Sequence, residues 1–322
     1  MGVGLSIFIT KYEFDDNQID FDFKEIPCVE VHASSKLFKG KVAGGESLLH
    51  IGDGKIISGM DDGRVMELDI KKNTVKTLFK TENSRPLGMR RIKKKEPIIR
   101  NGDLVENIPI VFLDDFAYSA KRHMVYITEA SLKYGVHEIL DLYLHGGRHG
   151  RIITVDLNTK EIGVLSQKFV FPNGIEISKD ENFLLINEEN RFQTHKYDLN
   201  SNIFTTIATF PAYLDNIRRD SGDGYWVAAI MVNFRHPYYL EKYTMLRALA
   251  SLLGKLNIIS IYSILQDHGS FVHIDENGKI DKCFYSNSGM AFNHVSELLE
   301  HNGFLYAGSY CPKVDYIAQI KI

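Results

Sequence analysis

The stretch His50-Ile51-Gly52-Asp53-Gly54-Lys55-Ile56-Ile57-Ser58-Gly59, followed by Asp62-Gly63-Arg64-Val65-Met66-Glu67-Leu68-Asp69, decides the fold. Each half reads as a tight turn and then a β-rich run, and Thr74-Val75-Lys76-Thr77-Leu78 adds a third strand. Asp-Gly and Asn-Gly between such runs are hairpin signals, because both residues accept the positive φ that a two-residue turn demands. The same order returns at Met124-Val125-Tyr126-Ile127-Thr128 with Gly150-Arg151-Ile152-Ile153-Thr154-Val155-Asp156, and at Asn182-Phe183-Leu184-Leu185-Ile186 with Thr194-His195-Lys196-Tyr197-Asp198. Two further copies begin at Gly224-Tyr225-Trp226-Val227-Ala228 and Gly303-Phe304-Leu305-Tyr306-Ala307-Gly308. A recurrence of ~40 residues is the spacing of propeller blades. One four-stranded blade cannot bury both of its faces alone, whereas a ring of blades buries them and exposes few strand edges.

The expected architecture is therefore an all-β, six-bladed β-propeller. It occupies residues 25–322 as one domain, behind an amino-terminal extension of residues 1–24. Cys28-Val29-Glu30-Val31-His32 is expected to supply the outer strand of the last blade and close the ring. Two segments interrupt the repeat. Leu240 to Leu265 carries Ala248, Leu249, Leu252, Leu253 and Leu256 at helical spacing. It reads as a helical insertion that packs on the propeller, lids a substrate site or faces a membrane. After Arg85-Pro86-Leu87-Gly88-Met89 the chain quickly reaches Val111-Phe112-Leu113-Asp114-Asp115, leaving about half a blade missing. Either the ring is distorted there or the chain lacks part of that blade.

Composition limits the function classes. The 322 residues are 44% hydrophobic and 25% charged, enough apolar material for a core, and the net charge of -3 gives no electrostatic case for nucleic acid. Arg90-Arg91-Ile92-Lys93-Lys94-Lys95 reads as a solvated loop, or more weakly as a patch for an anionic surface. Cys28, Cys283 and Cys311 allow one disulfide whose partners the sequence does not choose. No run reaches the ~18 uninterrupted apolar residues of a membrane span. The chain starts close to its first strand, which leaves room for an anchor preceding it. The compartment stays open.

Gly45-Glu46-Ser47-Leu48, Asp62-Gly63-Arg64, Arg85-Pro86-Leu87-Gly88, Phe171-Pro172-Asn173-Gly174, Asp215-Asn216-Ile217-Arg218 and Glu300-His301-Asn302-Gly303 follow one another in a fixed order. Over roughly residues 40 to 320 that order resembles the strictosidine synthase-like and adipocyte plasma membrane-associated protein family. The wider group contains paraoxonases and gluconolactonase-like proteins, which are calcium-dependent six-bladed propellers. The resemblance implies a calcium ion in the central tunnel, held by Glu46, Asn173 and Asp215, with Asn216 beside Asp215. Asp114 stands where the family has asparagine. Carboxylate and carboxamide oxygens are the donors calcium prefers. Asp before a turn and Asn-Gly are also ordinary loop chemistry.

The chemistry so implied is calcium-assisted hydrolysis of a small hydrophobic ester or lactone, the ion polarising the carbonyl while a base activates water. Paraoxonases use a histidine pair. The first position is Leu87 here and the second falls in the shortened blade, so Asp115 is the fallback base. The remaining histidines, His145 and His149 among them, read as surface loops, and His294 as lining the tunnel mouth. The glutamate used by strictosidine synthase itself aligns with Ser296, and Glu297 lies one residue away, on what alternation makes the opposite face. Amine–aldehyde condensation is therefore not expected. The alternative to a hydrolase is a non-catalytic, calcium-stabilised propeller that binds a partner or a membrane, through an amino-terminal anchor or the 240–265 helix.

Overall fold

Asp53 and Gly54 both take positive φ, 53° and 74°. This is the backbone of a two-residue turn whose twist suits an antiparallel hairpin. Asn302 and Gly303, at 52° and 75°, make the same turn at the other end of the chain. In the computed structural model, which describes residues 27–82, 85–92, 98–231, 244–260 and 267–322, such hairpins extend into five blades.

Two short strands come first, β1 (Val29–Glu30) and β2 (Ser35–Leu37). The first blade is β3 (Leu48–Gly52), β4 (Lys55–Gly59), β5 (Arg64–Asp69) and β6 (Thr74–Lys80). A two-stranded hairpin follows, β7 (Leu104–Val105) and β8 (Ile108–Pro109). The third blade is β9 (Phe112–Ser119), β10 (Met124–Ser131), β11 (Gly150–Asp156) and β12 (Ile162–Phe169). The fourth is β13 (Pro172–Ile177), β14 (Phe183–Glu188), β15 (Gln193–Asp198) and β16 (Phe204–Thr209). The fifth is β17 (Ala212–Arg219), β18 (Tyr225–Met231), β19 (Gly269–Ile274) and β20 (Ile280–Ser286). The last is β21 (Val295–His301), β22 (Phe304–Ser309) and β23 (Ile317–Lys321), completed by β2. Helix α1 (Ile139–His145) lies between β10 and β11, and α2 (Thr244–Lys255) between β18 and β19.

The first strand of each blade lines the axis, and β9, β13, β17, β21 and β3 touch in that order around the ring. Apolar layers fill the spaces between blades. Trp226, Phe271, Phe292 and Leu298 pack between the fifth and last, and Phe183, Leu185, Leu214 and Val227 between the fourth and fifth. Strand β14 is buried at every position. That explains its unbroken run Phe183-Leu184-Leu185-Ile186, since a strand covered on both faces needs no alternation.

The shortened second blade is borne out. In its place residues 85–92 run between the first and third blades. The Met89 N–H donates to Ser47 Oγ at 2.9 Å, and the Gly88 N–H to the Asp114 carbonyl at 3.1 Å. The hairpin β7–β8 rests on the third blade, where the buried Arg151 guanidinium donates to the carbonyls of Val105 and Ile108.

Ring closure differs from expectation. It is β2 that pairs with β23, Ser35 opposite Gln319 and Leu37 opposite Ile317. Val29 and Glu30 pair in parallel with Phe284 and Tyr285 of the fifth blade. The cause is covalent: Cys28 is disulfide-bonded to Cys283, and Cys311 stays free and buried. The ten residues from Cys28 to Leu37 thus stitch two blades together.

The helical insertion is present as α2, packed on α1, with Ser251 Oγ donating to Asp141 Oδ1 at 2.5 Å. Residues 240–243 and 261–265, the extension 1–24 and Lys93-Lys94-Lys95 lie outside the described residues. No described helix is long and apolar enough to cross a membrane.

The disulfide closes a loop of 255 residues, and cross-links of long loops are worth about 2–5 kcal/mol. Cys283→Ala should lower the melting temperature, and reductant should reproduce the loss in the native protein while leaving the variant unaffected. Equal melting of all forms would remove the latch from the account.

Candidate metal centre

The inner strands share one irregularity. Between the pairs Ile127–Phe116 and Glu129–Leu113, Asp114 and Asp115 oppose the single residue Thr128. Asn173 and Gly174 oppose Asn187 in the fourth blade, and Asp215 and Asn216 oppose Ala228 in the fifth. In the last blade Ser296 is the extra residue before Glu297. A bulge of this kind bends its strand and re-aims the side chains at it. Four inner strands therefore turn polar residues out of the pleat at the same level of the ring. Gly174 permits the close approach this needs, since a methyl group there would stand 2.6 Å from Asn216 Cα.

Glu46, Asn173, Asp215 and Asn216 are all buried, and Asp114 is 9% exposed. The structure brings every expected ligand to this one region, since Asp215 is repelled by Glu46 and Asp114, and Asp114 by Glu46. Oxygens that could hold a cation are left over. Glu46 Oε2, Asn173 Oδ1, Asp215 Oδ1 and Asn216 Oδ1 are buried without a hydrogen-bond partner. Buried polar atoms are normally satisfied, so four orphans in one place call for a ligand. The carboxamide of Asn173 is oriented for the purpose. Its Nδ2 donates to Glu189 Oε2 at 2.8 Å, which leaves Oδ1 turned the other way.

Glu189 was not expected. It opens the short turn after the fully buried β14, is itself 1% exposed, and accepts a hydrogen bond from the Tyr143 hydroxyl of α1. The polar cluster Asn187-Glu188-Glu189, closing an otherwise apolar strand, was the available signal. Arg218 was also missed, although it closes the quoted Asp215-Asn216-Ile217-Arg218. Its guanidinium bridges Asp115 Oδ2 at 2.7 Å and Glu297 Oε2 at 2.6 Å.

That bridge revises two expectations. Asp115 additionally pairs with Arg90 at 3.3 Å and accepts the Ile175 N–H at 3.1 Å. Burial works against its charge, but Arg218 and then Arg90 hold its pKa below the ordinary value. A carboxylate so engaged is a counter-charge, not a free base. Glu297, placed by alternation on the far face, instead reaches the axis, because the extra residue Ser296 resets the alternation before it. His294 is buried beside this bulge, its Nε2 3.5 Å from Asp267.

The remaining acids are uncomfortable together. Burial pushes Glu46 up to about 7, against the pull of Arg85 at 3.8 Å. Glu189 and Glu297 rise to about 7 for the same first reason. Asp114 and Asp215 are raised well above the carboxylate range by burial and then by neighbouring acids. Among the described residues no three His, Cys, Asp or Glu side chains form a metal cluster on their own. The donor set here mixes carboxylates with carboxamides, which suits a hard cation and no soft one.

The sign of the pH effect follows. Between the ordinary glutamate value of 4.5 and about 7, the folded state holds protons on Glu46, Glu189 and Glu297 that the unfolded chain has released. Stability should therefore fall as pH rises through that window. Thermal melts in chelator at about pH 5 and about pH 7.5 check this. A flat or rising melting temperature would show that these acids do not crowd.

Residues 114–202, which include Asp114, Asn173 and Glu189, match the family model for strictosidine synthase. The adipocyte plasma membrane-associated protein of Gallus gallus is 26% identical over 328 residues, covering 88% of this chain and 77% of its own. The strictosidine synthase-like protein 10 of Arabidopsis thaliana is 27% identical over 209 residues, covering 63% of this chain and 56% of its own. A solved candidate gluconolactonase superposes with a TM-score of 0.56 at 14% identity, covering 90% of this chain and 91% of that one, a likeness of fold. The chain is thus a β-propeller similar to the strictosidine synthase family over residues 114–202 and, along most of its length, to the adipocyte plasma membrane-associated proteins.

Proposed function

We propose that this propeller is a calcium-dependent hydrolase of small apolar esters or lactones. The observation that carries the reading is the set of orphaned oxygens on Glu46, just ahead of β3, on Asn173 of β13, and on Asp215 and Asn216 of β17, drawn from three blades. Calcium takes roughly six to eight hard oxygens, and Asp114 offers a further carboxylate. A bound ion would polarise an ester carbonyl and stabilise the charge that develops on its oxygen.

The chain's own groups do the rest. Glu189 orients Asn173 and is itself fixed by Tyr143. Its carboxyl, raised to about 7 by burial, lies against the proposed ligand Asn173 and takes the role of base in place of Asp115. Arg218 neutralises Asp115 and Glu297, so that the cation faces the four donors and not a larger excess of negative charge. Helix α1, which carries Tyr143, and α2 beside it stand against the Glu189 side of the axis. Glu297, which does reach the axis, is ion-paired to Arg218 at 2.6 Å and so is not offered as a base for amine–aldehyde condensation.

One feature favours a second reading, a calcium-stabilised module that sits on a membrane. Helix α2 is inverted, with Arg247 and Ser251 inward while Met245, Leu249, Leu252 and Leu256 are between 52% and 87% exposed. An apolar stripe on an exposed helix is the pattern of an interfacial helix. The matched animal relatives carry membrane association in their name.

Phenyl acetate and aromatic lactones, assayed with calcium and with chelator, separate these readings. Turnover should require calcium and fall at least tenfold in Asn173→Ala. Turnover that survives both would refute the metal mechanism. No turnover, with calcium raising the melting temperature and the protein sedimenting with phospholipid vesicles, would establish the second reading.

A further inference from the structure

The shortened blade leaves more than a gap in the repeat. A full second blade would cover the flank of the third with its own strands. Among the described residues, that flank is met by residues 85–92, by Ile98 and Ile99, and by the hairpin β7–β8. Val125 and Ile127 of β10 are buried, whereas Leu113, Phe116, Leu87 and Ile99 are only partly so. Between these residues lies a cavity of about 370 Å³. Its walls are aliphatic and aromatic, and Asp114 and Asp115 of the axial cluster close one end.

We propose that this lateral cavity is a binding site for an uncharged aromatic or branched-alkyl group, reached from the flank of the ring where the second blade is reduced. Three observations carry it. The volume falls within the range of small-molecule sites, about 300–1,000 Å³, and well above the about 150 Å³ that holds a benzene ring. Among the described residues the lining offers no free cation for an anionic ligand, because the Arg85 guanidinium at its edge already donates to the carbonyls of Gly44 and Tyr310 and pairs with Asp61. Finally, the cavity is walled by backbone that is held in place. Gly88 donates to the Asp114 carbonyl, and an added methyl at Gly88 would stand 2.8 Å from Asp115 Cα. The hairpin side is anchored by Arg151, whose Nε also pairs with Glu129 at 2.6 Å.

The site is separate from the hydrolase reading, since it needs neither a metal nor turnover. An apolar body seated here would nonetheless end against the acid cluster, and so would hold a reactive carbonyl group beside it if it carried one.

Benzophenone serves as a photoaffinity probe and 2-acetylnaphthalene as a competitor, both uncharged and neither hydrolysable. Irradiation should label peptides within residues 85–92 or 112–127, and the competitor should suppress that labelling. Leu113→Trp, which fills the cavity, should reduce labelling at least tenfold while circular dichroism stays native. If that variant fails to fold, Ile99→Phe at the opposite wall should do the same. Asn173→Ala should label like the native protein. Labelling confined to residues 244–258, labelling unchanged by the filling variants, or labelling lost in Asn173→Ala would overturn the proposal, the last by assigning the probe to the axis.

Discussion

Buried carboxylates around one axis repel one another, and most of the polar architecture of this protein is arranged to contain that repulsion. Arg218 offsets Asp115 and Glu297, Arg90 is shared by Asp115 and Glu176, and Arg85 lies near Glu46. Removing one partner of a buried pair typically costs about 3–5 kcal/mol, because the other charge is left uncompensated. The arginines therefore hold the inner strands together as much as the apolar layers do. They do not reach every acid. Asp114 and Asp215 keep raised pKa values, and Glu46 Oε2, Asn173 Oδ1, Asp215 Oδ1 and Asn216 Oδ1 keep no hydrogen-bond partner. A hard cation resolves both deficits at once.

The bulges make this convergence sterically accessible. An unbroken strand sends neighbouring residues to opposite faces. Asp114-Asp115, Asn173-Gly174, Asp215-Asn216 and Ser296-Glu297 escape that rule because each pair opposes too few residues on the next strand. The arrangement is local to each blade, and the ring aligns the local features at one height. That alignment in turn depends on closure, which β2 and the Cys28–Cys283 latch supply.

Much of this was legible in the residues. Asp53-Gly54 and Asn302-Gly303 announced their turns, and their backbone angles bear that out. The missing half-blade was visible as too short a distance between Met89 and Val111. The family order located Glu46, Asn173, Asp215 and Asn216, and the structure brings them together. What escaped was geometry that depends on register. Alternation misplaced Glu297, because no residue type marks a bulge, and Asp115 looked like a free acid because Arg218 lies on another blade. Glu189 lies in a turn after β14, where an acidic residue reads as a solvated loop. Closure was assigned to residues 28–32 since the sequence allowed three cysteine pairings and marked none of them. The cavity beside the third blade was illegible for a different reason: sequence shows a deletion, whereas only packing shows whether its space is refilled.

The most direct test is a crystal structure grown with calcium, with anomalous scattering used to locate the ion. One calcium on the axis, with Glu46, Asn173, Asp215 and Asn216 as oxygen ligands, is the predicted result. An axis holding only water, with Asn173 Oδ1 and Asp215 Oδ1 bonded to protein groups instead, would contradict the account.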